Sequence, residues 1–488
     1  MAFEIQSPNT GDTLKTLSPA AQAKLWKRGV DIFEQSSDYF ADMEGGADAV
    51  IHTETDTSKG IGQTITFRTM AGFYDEPHMG EELFEEGDDF QELLIGSHDL
   101  TVDFLRHSVR LTQRMEEFMG MRGEIKGELP EQLGRWLGRT KSERMFMMFL
   151  HKLNPENLIY ANGASQDTLL STDTLDWDNI VAGGTQLGRM GGEKANVGKN
   201  QPLFRNVVAA TTDALFSLKM DNNYKQLLRE AGDRGGSNVM FKGGFTDVDG
   251  HIIKPYNPID HDGRGAIGSP LNAKAWLGEA ITAGTGTFAI KGGGSAAAAA
   301  KTKIKYFKHF AGYAFPFLPG DVLSPGSTTR YLLIINPPNA PTDPNKVGMY
   351  AYTTGNNGNT ITITQRLGSA ASGDRVTTLG AVSWNTGVWS GRHTEVHPIG
   401  ATILPCNAKG VVFGDTLMLV KQAAYRGYGQ FRNQRTEDMH NGGFVKDLFV
   451  TSVFGQAPRK NVDGRCPGVL RIRHALQYAG LPLPAVTA

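Results

Sequence analysis

GQTITFRTMAGFYDEPHMGEELFEE (62–86) and its return, GSHDLTVDFLRHSVR (96–110), decide how this chain is read. In the first segment Ile65 and Phe67 alternate with Thr64, Thr66 and Arg68, the period of two expected of a strand with one buried face. Between Arg68 and Arg106 there is no Lys or Arg, yet the stretch holds eleven acids: Asp75, Glu76, Glu81, Glu82, Glu85, Glu86, Asp88, Asp89, Glu92, Asp99 and Asp103. Like charges at this density repel, so the block cannot fold cheaply against itself. From Arg106 to Lys152 the balance reverses, with ten bases against six acids on a pattern that reads as helical. Charge segregated in this way is complementary between copies of the chain. The simpler reading leaves the acids in a solvated loop and the bases on a solvated helix face.

Upstream, SPAAQAKLWKRGVDIFEQSSDYFADM (18–43) reads as an amphipathic helix, with Ser18 as N-cap, Pro19 at the first helical position, and Leu25, Trp26, Val30 and Phe33 on one stripe. It is an N-terminal arm with an adhesive face. Downstream, QLGRWLGRTKSERMFMMFLHKLNP (132–155) predicts a long buried helix, with Trp136, Leu137, Met145, Phe146, Phe149 and Leu150 inside and Pro155 at its end. A further helix pattern spans 207–232, and FTDVDGHIIKPYN (245–257) reads as a hairpin turning at Asp249-Gly250. KGGGSAAAAAKTKIKYF (291–307) is low-complexity and reads as a loop or linker. Short strand-like runs from Gly320 to Lys409 predict a β-rich insertion. The last section mixes helix and strand patterns, with ten bases against four acids from Lys421 onward.

With 488 residues, 49 Lys plus Arg, 51 Asp plus Glu and 40% hydrophobic residues, the chain is globular rather than a disordered tail or a free-standing basic nucleic-acid binder. Its 59 glycines imply many turns and a loop-rich, partly β fold. Cys406 and Cys466 lie too far apart for a zinc-ligand spacing and are too few for a disulfide framework, so a reducing compartment is expected. The first residues lack a basic region followed by an apolar core, and no window is apolar enough to span a bilayer.

Catalytic and cofactor motifs are approached and missed. In GGGSAAAAAKT (292–302) Ser295 and Ala300 stand where a phosphate-binding loop needs glycine. GTGTFA, at Gly284, Gly286 and Ala289, has neither the strand before it nor the helix after it that a dinucleotide fingerprint requires. His393, Glu395 and His397 would face one way on a strand and could hold a metal, but a surface turn is the simpler account beside Pro398. Asp260 and Asp262 flank His261 in a glycine- and proline-punctuated loop. RGYGQFRNQR (426–435) interleaves Arg426, Arg432 and Arg435 with Tyr428 and Phe431, next to Tyr425, and reads as an intersubunit contact rather than a phosphate-binding stripe.

In order, these features are a helical arm, a strand, a long acidic excursion with its return, a basic helix, a mixed domain with a β-insert, and a returning strand. Together they resemble the major capsid proteins of tailed bacteriophages, of the HK-97 fold, and in particular the capsid family of N-4-like podophages. Segments 62–86 and 96–110 look like the family's extended loop and its return. RTEDMHNGGFVKDLFVTSVFGQAPRKN (435–461) resembles its closing acidic pair, strand and basic end. The resemblance implies an α+β fold with an N-terminal arm at 1–60, the extended loop (E-loop) at 61–106, and a peripheral domain with its spine helix at 107–153. An axial domain with its connections follows at 154–319, a β-rich insertion at 320–409, and a return to the axial and peripheral domains at 410–488. The insertion departs from a minimal capsid core.

The implied function is that of a non-enzymatic major capsid protein, self-assembling into the hexamers and pentamers of an icosahedral head shell around double-stranded DNA. The implied location is the virion, after assembly in the host cytoplasm. Portal and scaffolding proteins, and in some relatives a decoration protein, are the implied partners, with no cofactor, metal or membrane. Some relatives mature by cleavage or by Lys-Asn bonds; with Met1 present no large cleaved leader is expected, and no cross-linking lysine is singled out. On this reading Glu81, Glu82, Glu85, Glu86, Asp88 and Asp89 meet Arg106, Arg110, Arg114, Arg135 or Arg139 of a neighbouring copy. Near-neutral total charge predicts weak, sequence-independent contact with DNA. Gly60, Gly62, Gly72, Gly120, Gly123 and Gly127 are candidate hinges or tight turns. The alternatives are a soluble enzyme with a dispersed active site and another virion part, such as a decoration or tail protein.

Overall fold

The structure, a computed structural model, describes residues 19–60, 62–70, 95–112, 124–162, 165, 168–197, 203–226, 246–248, 250–256, 275–276, 288–291, 301–303, 330–335, 347–354, 360–370, 402–407, 411–430, 433–440, 445–461 and 464–476. The chain divides into two compact units, Met1–Met145 with Gln422–Cys466, and Phe146–Lys421 with Pro467–Ala488. The first unit begins with helix α1 (Pro19–Ser37) and strands β1 (Glu44–Gly45), β2 (Ile51–Thr55), β3 (Thr64–Met70), β4 (Ile95–Thr101) and β5 (Asp103–Thr112). Helix α2 (Glu124–Lys152) runs across the division. The second unit holds β6 (Leu158–Tyr160), α3 (Trp177–Arg189), β7 (Ala195–Asn196), β8 (Phe204–Ala210), α4 (Thr212–Met220), β9 (Thr246–Val248) and β10 (His251–Pro255). It continues with β11 (Ala275–Trp276), β12 (Phe288–Lys291), β13 (Lys301–Lys303), β14 (Arg330–Ile335), β15 (Val347–Thr354), β16 (Thr360–Ala370), β17 (Thr402–Cys406) and β18 (Phe413–Leu419). The chain returns to the first unit with β19 (Ala424–Tyr428), β20 (Gln434–His440) and β21 (Val445–Pro458), and to the second with β22 (Val469–Ala475).

The sheet of the first unit runs β1-β2-β19-β21-β20, with β5 also paired to β21. The 14-residue β21 organises it, because β5 pairs antiparallel along Val445 to Phe454 while β20 and β19 share the other edge. The helical reading of the basic stretch therefore fails at its start: Arg106 and Arg110 lie on strand β5, and the helix begins at Glu124. The physical reason is visible in DFLRHSVRLT, where Leu105, Val109 and Leu111 sit on alternate positions and face inward.

Helices α1 and α2 pack on one face of this sheet, where Val30, Leu133 and Leu137 join Leu105, Tyr428, Val450 and Phe454 in one cluster. Val30 is buried and Phe33 half-buried, as the amphipathic stripe predicted; the side chains of Leu25 and Trp26, and Ser18 itself, lie outside the described residues. The helices approach closely because α2 presents glycine at two successive turns. A Cβ on Gly134 would lie 2.7 Å from the Val30 carbonyl oxygen, and one on Gly138 would lie 2.4 Å from that of Glu34. Backbones can come this near only where both side chains are absent.

The second unit is built on the sheet β6-β22-β18-β8-β10-β9, with β7 beside β8. Helix α3 is capped by Asp176, whose carboxylate accepts from the Asn179 amide at 2.8 Å. Its Ile180 and Leu187 pack with Val208, Ala214, Leu218, Met418, Leu470 and Ile472 into a continuous apolar core. Strands β9 and β10 pair as the hairpin read at Asp249-Gly250, with Gly250 at φ +78°; Asp249 lies outside the described residues. The helix predicted at 132–155 is present to Lys152, and Met145, Phe146, Phe149 and Leu150 are buried. A separate seven-stranded sheet, ordered β11-β17-β14-β15-β16-β12-β13, draws its strands from Ala275 to Cys406.

Candidate intersubunit interface

Strands β3 and β4, which flank the acidic segment in sequence, pair with each other as a two-stranded antiparallel sheet, in register from Thr64↔Thr101 to Met70↔Ile95. Its near end is closed by two backbone bonds, Gly62 N to Val102 O and Val102 N to Gln63 O, each 3.0 Å. Gly62 adopts φ +72°, so at this position glycine serves a tight turn. Along β3 burial alternates strictly: Ile65, Phe67 and Thr69 face inward, and Thr64, Thr66, Arg68 and Met70 outward. The inner face joins Leu100, Val102, Tyr425, Val453 and Ala457 in a cluster, with the Phe67 and Tyr425 rings stacked at 4.3 Å. On the outer face Thr66 Oγ1 donates to Asp99 at 2.7 Å. At the far end Met70 and Ile95 are 64% and 59% exposed, two large apolar side chains held side by side.

Glu81, Glu82, Glu85, Glu86, Asp88, Asp89 and Arg114 lie outside the described residues. The other four arginines each have a neighbour within the chain. Arg106 places its guanidinium 4.2 Å over the Phe449 ring. Arg110 forks onto Asp447 with two bonds of 2.8 Å while its side chain stays 67% exposed. Arg135 pairs with Glu131 one turn earlier at 2.6 Å and remains 51% exposed, whereas Arg139, 3.8 Å from Glu143, is only 21% exposed. Arg106, Arg110 and Arg135 thus keep charge at the surface of the first unit.

Sequence reasoning missed a buried polar layer that ties the N-terminal arm to α2 and the sheet. Lys141 Nζ pairs with Glu34, both fully buried. Arg426 Nη1 pairs with Asp38 at 2.6 Å and also with Glu44. Ser142 Oγ donates to Asp38 at 2.7 Å and accepts from the Tyr39 amide at 2.8 Å. Asn433 Nδ2 donates to Asp31 at 2.7 Å and to Glu34. Burial pushes the Asp38 carboxyl up, but the Arg426 charge, the Ser142 hydroxyl and the Phe40 amide outweigh it and hold the group below its ordinary value. The available signal was the spacing of Asp31, Glu34 and Asp38, which places three acids on one helical face.

This layer corrects the reading of RGYGQFRNQR as a contact patch at Arg426, Tyr425 and Tyr428. Arg426, Tyr425 and Tyr428 are buried on β19, between β2 and β21, and Arg426 is spent on acids of its own chain. Phe431, Arg432 and the side chain of Arg435 lie outside the described residues. Lys301 and Thr302 stand on strand β13, not at the helix start that a phosphate-binding loop needs. His393, Glu395, His397, Asp260, His261 and Asp262 lie outside the described residues. Among the described residues no group of three His, Cys, Asp or Glu is placed to hold a metal, and no helix is long and apolar enough to cross a membrane.

The second unit has its own buried charge cluster, where Arg471 and Arg473 both fork onto Asp415 at 2.8 to 3.2 Å. The extra positive charge has other partners. Arg471 also reaches the Leu150 carbonyl at 3.5 Å, in the last turn of α2 where the helix dipole is negative, and Arg473 lies 4.6 Å over Phe413. Next to them buried His474 sets Nδ1 against the Ala475 carbonyl at 3.2 Å and Nε2 against Thr416 Oγ1 at 3.0 Å. A carbonyl oxygen only accepts, so the Nδ1 position carries the proton and Nε2 accepts from the threonine.

No family model matches the chain, and no curated protein matches it. Solved structures do. A chain from the capsid asymmetric unit of cyanophage Pam1 matches at TM-score 0.50 and 10% identity, covering 90% of this chain and 92% of that one. The capsid of Ralstonia phage GP4 matches at TM-score 0.49 and 13% identity over 90% and 91% of the two chains. The head of Helicobacter pylori bacteriophage KHP40 matches at TM-score 0.46 and 11% identity over 89% and 91%. The likeness to the Pam1 chain is one of fold, and it carries the α+β, HK-97-type architecture expected from the sequence.

Proposed function

We propose that this chain is the major coat subunit of a tailed-phage head, whose copies form the hexamers and pentamers of an icosahedral shell around double-stranded DNA. The observation that carries the reading is the near full-length likeness to a chain of the Pam1 capsid asymmetric unit, over 90% of one chain and 92% of the other. The charge layout supports it independently. The acidic segment lies in sequence between the paired strands β3 and β4, and the first unit carries exposed Arg106, Arg110 and Arg135. In the assembly, Glu81, Glu82, Glu85, Glu86, Asp88 and Asp89 of one copy lie against these arginines, and against Arg114, of the next. Arg139, largely buried beside Glu143, contributes least. Single exposed pairs are weak, so their effect is on register between copies and grows by repetition around a closed ring.

The same reading makes the subunit structural rather than catalytic, places it in the virion after assembly in the host cytoplasm, and gives it portal, scaffolding and decoration proteins as partners. Its contact with packaged DNA is weak and indifferent to sequence, since a chain of formal charge −2 has no large basic excess. The N-4-like lineage belongs to the proposal as well. The test is to replace Glu85 and Glu86 with Lys in the full chain and compare sedimentation with wild type. The expected result is a folded subunit that no longer assembles; wild-type particle yield from the double variant overturns the charge-pairing step.

A further inference from the structure

A two-stranded hairpin has too little core to hold itself, so the orientation of β3 and β4 depends on what lies beneath their inner face. Beside the Tyr425, Val453 and Ala457 side chains, what lies beneath Ile65 and Leu100 is a pair of glycines. Gly427 of β19 and Gly455 of β21 stand directly opposite each other in the sheet, and Leu100 of β4 fills the space over both. The two positions differ in kind. A Cβ on Gly427 would lie 2.9 Å from Ile65 Cδ1 and 2.9 Å from Leu100 Cδ2, the ends of side chains that can turn away. A Cβ on Gly455 would lie 2.5 Å from the Thr101 carbonyl oxygen, which is β4 backbone and cannot move without the strand. Bringing that contact back to van der Waals distance lifts β4 by about 1 Å.

We infer that the Gly427–Gly455 pair is the seat that sets the tilt of the β3–β4 hairpin, and so the place where acidic segment 71–94 meets the next copy. The second half of this statement rests on the coat-subunit reading; the first does not. Gly455 acts through the backbone of β4 and Gly427 through the side chains above it, so the two are positioning residues of different stringency. Neither touches the arginines of the proposed interface.

The test uses four full-length variants: Gly455→Ala, Gly427→Ala, and each of these combined with Ile65→Val and Leu100→Val, which remove both δ-methyl groups over the seat. Hydrogen exchange of the dissociated subunit reads the hairpin in peptides spanning 64–70 and 95–101, and electron microscopy reads particle yield and diameter. Gly455→Ala is expected to speed exchange in both peptides about tenfold, leave β22 and α3 at wild-type protection, and give few or misshapen particles. Trimming Ile65 and Leu100 restores protection and particle diameter to Gly427→Ala but not to Gly455→Ala. Unchanged hairpin exchange in Gly455→Ala, or equal rescue of both glycines, overturns the seat. If Gly455→Ala does not fold, Gly427→Ala and its rescue decide the matter alone. If wild type forms no particles, the coat-subunit reading fails while the exchange data still judge the seat.

Discussion

Replacing Gly138 with Ala sets two effects of opposite sign against each other. In an open helix interior the change is favourable by about 0.8–1.0 kcal/mol, because Ala loses less backbone entropy. At Gly138 the new Cβ would meet the Glu34 carbonyl oxygen at 2.4 Å and the Asp38 amide nitrogen at 2.8 Å, both backbone atoms of the arm. The helices must part by about 1 Å, an overpacking cost of about 1–3 kcal/mol. Parting them also lengthens the Lys141–Glu34 and Ser142–Asp38 contacts one turn away. Stretched buried hydrogen bonds to charged groups add about 1.5–3 kcal/mol. The sum is a net loss of about 1.5–5 kcal/mol in the first unit. Gly188 of α3 is the control: a Cβ there meets nothing within 4 Å, so Gly188→Ala should stabilise the second unit by about 0.5–1 kcal/mol. Because the two units need not unfold together, native-state hydrogen exchange in α2 and α3 peptides is the appropriate assay. A loss of about 2 kcal/mol lowers α2 protection about 30-fold. Wild-type protection in Gly138→Ala, or a shift of the same sign in both variants, refutes the close-crossing account.

Lys141→Met leaves Glu34 buried without its cation and should destabilise by about 3–5 kcal/mol, whereas adding Glu34→Leu should recover most of that loss in thermal unfolding; equal melting of the single and double variants would contradict a coupled pair. Burial and the Arg473 charge hold the His474 pKa below its ordinary value, against the pull of the Ala475 carbonyl and Asp415. A histidine depressed in the folded state gives stability that is full above the unfolded pKa of about 6.5 and is lost as pH falls below it. The melting temperature of the second unit should therefore drop between pH 7.5 and pH 5.5, and His474→Asn should flatten that dependence; an unchanged slope in the variant would contradict the assignment.

Local features of the fold were legible wherever one face of an element is apolar. The alternation of Ile65 and Phe67 located β3, the Pro19 start located α1, and the run from Leu133 to Leu150 located α2. What escaped was of two kinds. Leu105, Val109 and Leu111 mark β5 as a strand, but the basic residues between them continue the charge pattern of a helix that begins only at Glu124. The other kind is long-range by nature. Arg426 is paired with Asp38 across 388 residues of sequence and with Glu44 across 382, and no local pattern distinguishes a buried arginine from a contact arginine at such separation. Gly134, Gly138, Gly427 and Gly455 were invisible for the same reason, since a glycine reveals its purpose only through the backbone that comes to rest against it.

The central claim is self-assembly, and electron microscopy of the purified full-length protein with light scattering for mass tests it most directly. Closed shells or ring-shaped capsomers built from this chain alone, or on addition of lysate from infected cells, are the expected result. A uniform monomer or small dimer under every condition, with no particles, would contradict the account.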